Sequence, residues 1–165
     1  MTTWAKPKAP ETPNVLRSWR RGRRTTVRET TPEPYGMPKQ IRSGIDVVQL
    51  VRALIAEDPR EHFVAVYLDA KHVPIAVHVV SIGTVSASTV HPREVFGPAL
   101  AASASRVIVA HNHPSGDPTP SPEDRLVTDR LRAAGELLGV GLLDHIVLGA
   151  GRFFSFTDDQ TRSDT

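Results

Sequence analysis

From residue 43 onward the chain alternates between two hydrophobic periods. "SGID" (Ser43–Asp46) has the S-x-x-D form of a helix-capping box, and Val47, Val48, Leu50, Val51, Leu54 and Ile55 follow it at helical spacing. Asp58-Pro59 ends that helix, because a proline disfavours helical geometry in the residue before it. "HFVAVYLD" (62–69) is apolar on both faces, as a strand in the middle of a sheet is. "AKH" reads as a turn, "VPIAVHVVS" (73–81) as the next strand and "GTVSAS" (83–88) as a weaker, small-residue strand. "HPREVFGPALAASA" (91–104) predicts a helix with Pro92 near its start, interrupted or tightened at Gly97-Pro98. "RVIVAH" (106–111) is a short buried strand. Ser121 to about Leu138 is a second strong helix, with Pro122 at its first position and Gly139 near its end. "DHIVLG" (144–149) and "RFFSF" (152–156) are late strands joined by a Gly-Ala-Gly turn. The order α-β-β-β-α-β-α-β-β predicts an α/β fold, α+β-like, with helices packed on a mixed sheet. No internal repeat interrupts it.

Before residue 43 the periodicity stops. Residues 1–42 hold ten Lys/Arg, three acids and six prolines, a net charge of +7; residues 43–165 carry −5. The chain therefore divides into a basic Pro/Arg-rich tail expected to be disordered (1–42), one domain (43–157) and a polar C-terminal tail (158–165). "RSWRRGRR" (17–24) sets Trp19 among arginines, a composition that can grip phosphates and stack on a base. The plainer reading is a solvated tail that keeps the protein soluble. No apolar run approaches the roughly 20 residues a membrane span needs, and the N-terminus shows no apolar signal-peptide region. Cysteine is absent, so disulfides and thiolate metal sites are excluded. Together these features predict a cytoplasmic protein whose metal sites, if any, use His, Asp or Glu.

The densest chemistry lies in "AHNHPSGDPTPSPEDRL" (110–126). His111 and His113 sit two apart at a strand end, so an extended backbone sends both imidazoles to one face. Two neutral imidazole nitrogens suit one cation. A third ligand must come from elsewhere: Asp124 in the first turn of the next helix, with Asp117 and Glu123 as competitors. Three protein ligands and one open position is the pattern of catalytic zinc. Each residue also has a structural use. Ser121 and Asp124 form a capping box whatever the loop does, Asp117 suits a turn, and His pairs often serve only local hydrogen bonds. Asn112 should face the other way and brace the loop. The tripeptide His-Asn-His is not an HNH nuclease signature, whose residues are spread through a ββα unit. Of the other histidines, His91 reads as a solvent-facing helix start, with support of a metal ligand or a contact to substrate as the alternative, His145 as a strand residue near the core, and His62, His72 and His78 as surface or turn positions.

"HNHPSGDPTPSPED" resembles the metal motif of the JAB/JAMM (MPN-type) metallopeptidase-like domains, and most closely their bacterial RadC branch. That pattern is H-x-H, then Ser eight and Asp eleven residues on; Ser121 and Asp124 meet both spacings from His113. "REHFVAVYLDAKH", "SIGTVSASTVHPREVFGPAL" and "GELLGVGLLDHIVLG" also look RadC-like, so the resemblance covers about residues 43–156. It implies a JAB/MPN-type, cytidine-deaminase-like three-layer arrangement of helices on a mixed sheet. It also implies an upstream glutamate at the start of the first sheet strand. Glu61 occupies that place, where its residue type alone suggests only a polar strand border.

The resemblance implies one zinc ion per chain, held by His111, His113 and Asp124, which lowers the pKa of its bound water toward ~7. Glu61 would take that water's proton and deliver it to a leaving amine, and Ser121 would donate to the oxyanion. The proline-rich loop would stiffen the return of Asp124 to the strand end. The expected function is zinc-dependent hydrolysis of a peptide or isopeptide amide bond in an unnamed peptide or protein substrate. The rival expectation is a metal-bound, non-catalytic module associated with DNA repair or replication, its basic tail binding nucleic acid. RadC-like proteins commonly carry a helical N-terminal domain resembling helix-hairpin-helix DNA binders; here the basic tail stands in its place.

Overall fold

The structure, a computed structural model, describes residues 37–55, 58–83 and 90–164. The basic segment before residue 37 and most of the expected "GTVSAS" strand lie outside the described residues. The elements run α1 (Gly44–Ile55), β1 (His62–Leu68), β2 (Pro74–Ile82), α2 (Pro92–Ala101), β3 (Arg106–Asn112), α3 (Pro122–Leu138), β4 (Gly141–Leu148), β5 (Arg152–Ser155) and β6 (Gln160–Ser163). No described helix is long and apolar enough to cross a membrane.

The strands form one six-stranded sheet in the order β2-β1-β3-β4-β5-β6. Among the described strands only β3 and β4 pair in parallel, and α3 is the crossover between them. The alternation of side chains along each strand sorts the core into two layers. Val64, Val66 and Leu68 of β1 and Ile108 and Ala110 of β3 pack with Val47, Val48 and Val51 of α1. Phe63, Ala65 and Tyr67, with Val107 and Val109, pack on the other face with Val95, Phe96 and Ala99 of α2 and Val127 and Leu131 of α3. Covered on both sides, β1 is buried at every position, which is why its sequence is apolar without alternation. The result is a three-layer α/β mixed sheet with α1 on one side and α2 and α3 on the other, as expected.

Three local expectations are corrected. Gly97-Pro98 does not interrupt α2, which runs through Pro98 to Ala101. Pro98 removes one backbone donor, and the last turn still closes through Ala102 N–H donating to Pro98 O at 2.9 Å. The polar segment after residue 157 contains strand β6, paired antiparallel with β5 from Arg152↔Ser163 to Ser155↔Gln160. His62 is buried rather than exposed. It opens β1 with Nδ1 2.9 Å from the Arg60 carbonyl and Nε2 3.4 Å from Asp58 Oδ2. His91, by contrast, is the exposed N-cap of α2 and accepts from Arg93 N–H.

Candidate metal centre

The C-terminal end of β3 and the N-terminus of α3 meet on the α2/α3 face of the sheet. β3 reaches it with His111, which alternation places on the same face as Val107 and Val109. In the antiparallel register of β1 and β3, Phe63 stands opposite His111. Continued by two residues, that register sets Glu61 opposite His113. Ligand atoms of Glu61, His111 and His113 all lie within 4.8 Å of one another. Two interactions hold the Glu61 backbone. Its carbonyl accepts from Gly83 N–H at 2.8 Å. Asn112 clasps its neighbours: His62 N–H donates to Asn112 Oδ1 at 2.8 Å, and Asn112 Nδ2 donates to Arg60 O at 3.0 Å. Asn112 thus braces the entry to β1, not the following loop as its position first suggests.

The loop from Pro114 to Pro120 returns the chain to α3. Gly116, at φ +80°, turns it in the left-handed region that favours glycine. Gly116 N–H donates to His113 O (2.9 Å), and Ala150 N–H donates to Gly116 O (2.8 Å). Gly149 lets the loop lie flat on the β4–β5 turn, since a Cβ there would stand 2.5 Å from Gly116 O and 2.6 Å from Pro118 Cδ. Asp117, a competitor for the metal, spends its carboxylate on Thr119, accepting from its N–H (3.0 Å) and hydroxyl (2.7 Å). Glu123, the other competitor, is exposed on the first turn of α3.

Ser121 caps α3 in a full capping box. Asp124 Oδ2 accepts from Ser121 N–H at 2.8 Å and from the Ser121 hydroxyl at 2.6 Å, while Ser121 Oγ accepts from Asp124 N–H at 3.1 Å. The cap fixes Asp124 with its carboxylate against both imidazoles. Asp124 Oδ1 is 3.2 Å from His111 Nε2, Asp124 Oδ2 is 3.5 Å from His113 Nε2, and the two Nε2 atoms are 3.0 Å apart. His111 and Asp124 are buried and His113 is partly exposed, so the cluster opens toward solvent at His113.

The protons on these rings can be assigned from their partners. His113 Nδ1 lies 2.8 Å from the Asp117 backbone carbonyl, which can only accept. Nδ1 therefore carries the proton, and Nε2 of the neutral ring is a lone pair aimed at His111 and Asp124. A carboxylate and two lone-pair nitrogens at these separations repel one another unless a positive charge stands among them. With bonds of about 2.0–2.1 Å, tetrahedral zinc ligands sit about 3.3–3.4 Å apart, which the observed spread of 3.0, 3.2 and 3.5 Å brackets. The donor set thus fits a zinc ion. The bond to Asp124 lifts the His113 imidazole above its ordinary pKa, against the opposing effect of burial. Burial also opposes ionisation of Asp124, but the closeness of the two imidazoles and the hydrogen bonds from Ser121 outweigh it and hold the carboxyl far below its usual range.

All five sequence-proposed residues, Glu61, His111, His113, Ser121 and Asp124, meet in this cluster. Two others escape the sequence. His145 is fully buried on β4, its Nε2 2.9 Å from His111 Nδ1 and its Nδ1 2.6 Å from Thr128 Oγ1. Burial pushes its imidazole well below the ordinary range, so the ring is neutral. The signal for it is topological: Val109 pairs with His145 in the parallel β3–β4 ladder, a relation that spacing along the chain does not reveal.

A family model described as the RadC-like JAB domain matches residues 41–161. A UPF0758 protein of Methanosarcina mazei is 49% identical over 121 residues, covering 73% of this chain and 53% of the relative. One from Rubrobacter xylanophilus is 52% identical over 113 residues, 68% of this chain and 50% of the relative. One from Thermotoga maritima is 44% identical over 123 residues, 74% and 55% respectively. The chain spans about half the length of these curated relatives.

Proposed function

The chain belongs to the RadC-like JAB domain family, and from that premise we propose that it is a zinc-dependent hydrolase acting on an amide bond in a peptide or isopeptide. The observation that carries the reading is the trio of His111 Nε2, His113 Nε2 and an Asp124 carboxylate oxygen at 3.0, 3.2 and 3.5 Å, with a Glu61 carboxylate oxygen within 4.8 Å of both imidazoles. His111, His113 and Asp124 would hold the ion. When bound, zinc supplies a Lewis acid that polarises a carbonyl and acidifies water. Glu61, whose backbone carbonyl is held by Gly83 N–H, would take a proton from a water and return it to the departing amine. The Ser121 hydroxyl donates to Asp124 Oδ2, and rotation about its Cβ–Oγ bond would redirect that proton toward a developing oxyanion beside it. His111 is fully buried and stacked on Phe63 with ring centroids 5.9 Å apart, which restricts the orientations its ring could offer an ion.

Glu61→Gln tests the assignment. The amide keeps size and hydrogen bonding but cannot accept a proton. Zinc content should survive, while turnover of a fluorogenic peptide or isopeptide that the wild type cleaves falls by about two to four orders of magnitude. Full activity in that variant would remove Glu61 as the base. The competing reading, a non-catalytic metal-bound module tethered to nucleic acid by its basic tail, instead requires zinc binding without hydrolysis in the wild type.

A further inference from the structure

Behind His111 runs a closed chain of hydrogen bonds that no step of the proposed hydrolysis uses. The Thr128 hydroxyl donates to the Asp124 backbone carbonyl at 2.7 Å, four residues back along α3. A hydroxyl has one proton. Once it is given to Asp124 O, Thr128 Oγ1 can only accept from His145 Nδ1, 2.6 Å away. The His145 ring is fully buried and its two nitrogens face only Thr128 Oγ1 and His111 Nδ1, so a proton on Nδ1 leaves its Nε2 as an acceptor. That acceptor takes the proton of His111 Nδ1 at 2.9 Å. His111 is thereby held with Nδ1 protonated and Nε2 bare, and Nε2 is the atom facing His113 and Asp124. Thr128 and His145 are both inaccessible to solvent, so water cannot substitute for either. The ring of His145 is further wedged by Phe156, stacked on it at 4.8 Å, and by Phe63 at 5.5 Å.

We propose that Thr128 and His145 are positioning residues for the metal centre: they fix the tautomer and the ring orientation of His111 so that Nε2 presents a lone pair to a cation. The chain begins at the main chain of Asp124 and ends at His111. One relay therefore locks two of the ligands to each other, the α3 ligand through its carbonyl and the β3 ligand through its ring. A metal-ligating histidine normally donates its other ring N–H to a fixed acceptor. Here that acceptor is a second histidine, which is competent only because a threonine orients it in turn. The inference rests on the metal site proposed above.

The experiment compares wild type, Thr128→Val and Thr128→Ser, with two readouts: zinc affinity by competition with a chelating dye, and the tautomer of His111 by long-range ¹H–¹⁵N spectroscopy on metal-free protein near pH 7. Valine keeps the shape of threonine and removes the acceptor; serine restores it. Wild type and Thr128→Ser should show His111 protonated at Nδ1 and zinc affinities within about twofold of each other. Thr128→Val should show a mixed or inverted tautomer and an affinity lower by about 10–100-fold. A role in packing alone would lower the melting temperature of Thr128→Val without moving the tautomer. A Thr128→Val protein with unchanged tautomer and zinc affinity overturns the relay while leaving the metal site standing. A wild type that binds no zinc overturns the metal site itself, and this inference with it.

Discussion

Gly149→Ala probes whether the proline-rich loop is anchored or merely adjacent. The added Cβ would stand 2.5 Å from Gly116 O, 2.6 Å from Pro118 Cδ and 2.8 Å from Pro118 N. All three are main-chain or ring atoms of one loop, so no side chain can swing aside. Ordinary contact begins at 3.4 Å, and the loop must retreat by roughly 0.9 Å. Overpacking of this kind costs about 1–3 kcal/mol; the middle of that range corresponds to a Tm loss of roughly 5–12 °C for a domain of this size. The same retreat pulls Asp117 O away from His113 Nδ1, now 2.8 Å distant, and loosens a ligand. Zinc affinity should fall by about tenfold or more. Differential scanning calorimetry and chelator competition measure the two effects. Gly141→Ala is the control: its added Cβ meets nothing nearer than the flexible Arg106 side chain at 3.5 Å, an ordinary contact, so it should melt and bind zinc as the wild type does. A Gly149→Ala protein with wild-type melting and affinity would refute the anchored loop.

Two further outcomes follow from the same cluster. The folded-state pKa of His113 lies above its unfolded value, so its stabilising contribution is complete below about pH 6.5 and is lost as pH rises through the raised value; melting of chelator-treated protein should drop across that window, while the increment from added zinc grows as the competing proton leaves. Ser121→Ala removes the cap of α3 and the 2.6 Å bond to Asp124, and should cost about 1 kcal/mol by thermal denaturation; Ser121→Thr, which keeps the hydroxyl, should recover both stability and zinc affinity.

The parts of this molecule legible in its sequence are those fixed by local chemistry. The start of α3 was readable because Ser121, Pro122 and Asp124 form a cap by themselves, and through that cap the Asp124 carboxylate stands against His111 and His113. β1 and β3 were readable because burial on both faces demands unbroken apolar runs. β6 was not: "QTRS" is exposed at every position and owes its existence to the β5 edge beside it. Its neighbour Asp164 is tied down by Arg52 of α1, 112 residues away in sequence. The burial of His62 depends on Asp58 and Arg60 folding back over it. Glu61 became a site residue by family resemblance and not by pattern, since only the β1–β3 register brings it opposite His113. Thr128 and His145 required both the parallel β3–β4 pairing and the helix that crosses between those strands.

The central claim, that His111, His113 and Asp124 form a zinc site, is tested most directly by metal analysis of the purified protein beside His113→Ala and Asp124→Ala. The wild type should carry about one zinc per chain, and both variants should lose it while keeping the far-ultraviolet circular dichroism of the three-layer fold. A wild-type protein that is free of metal and gains no thermal stability on addition of zinc would contradict the account.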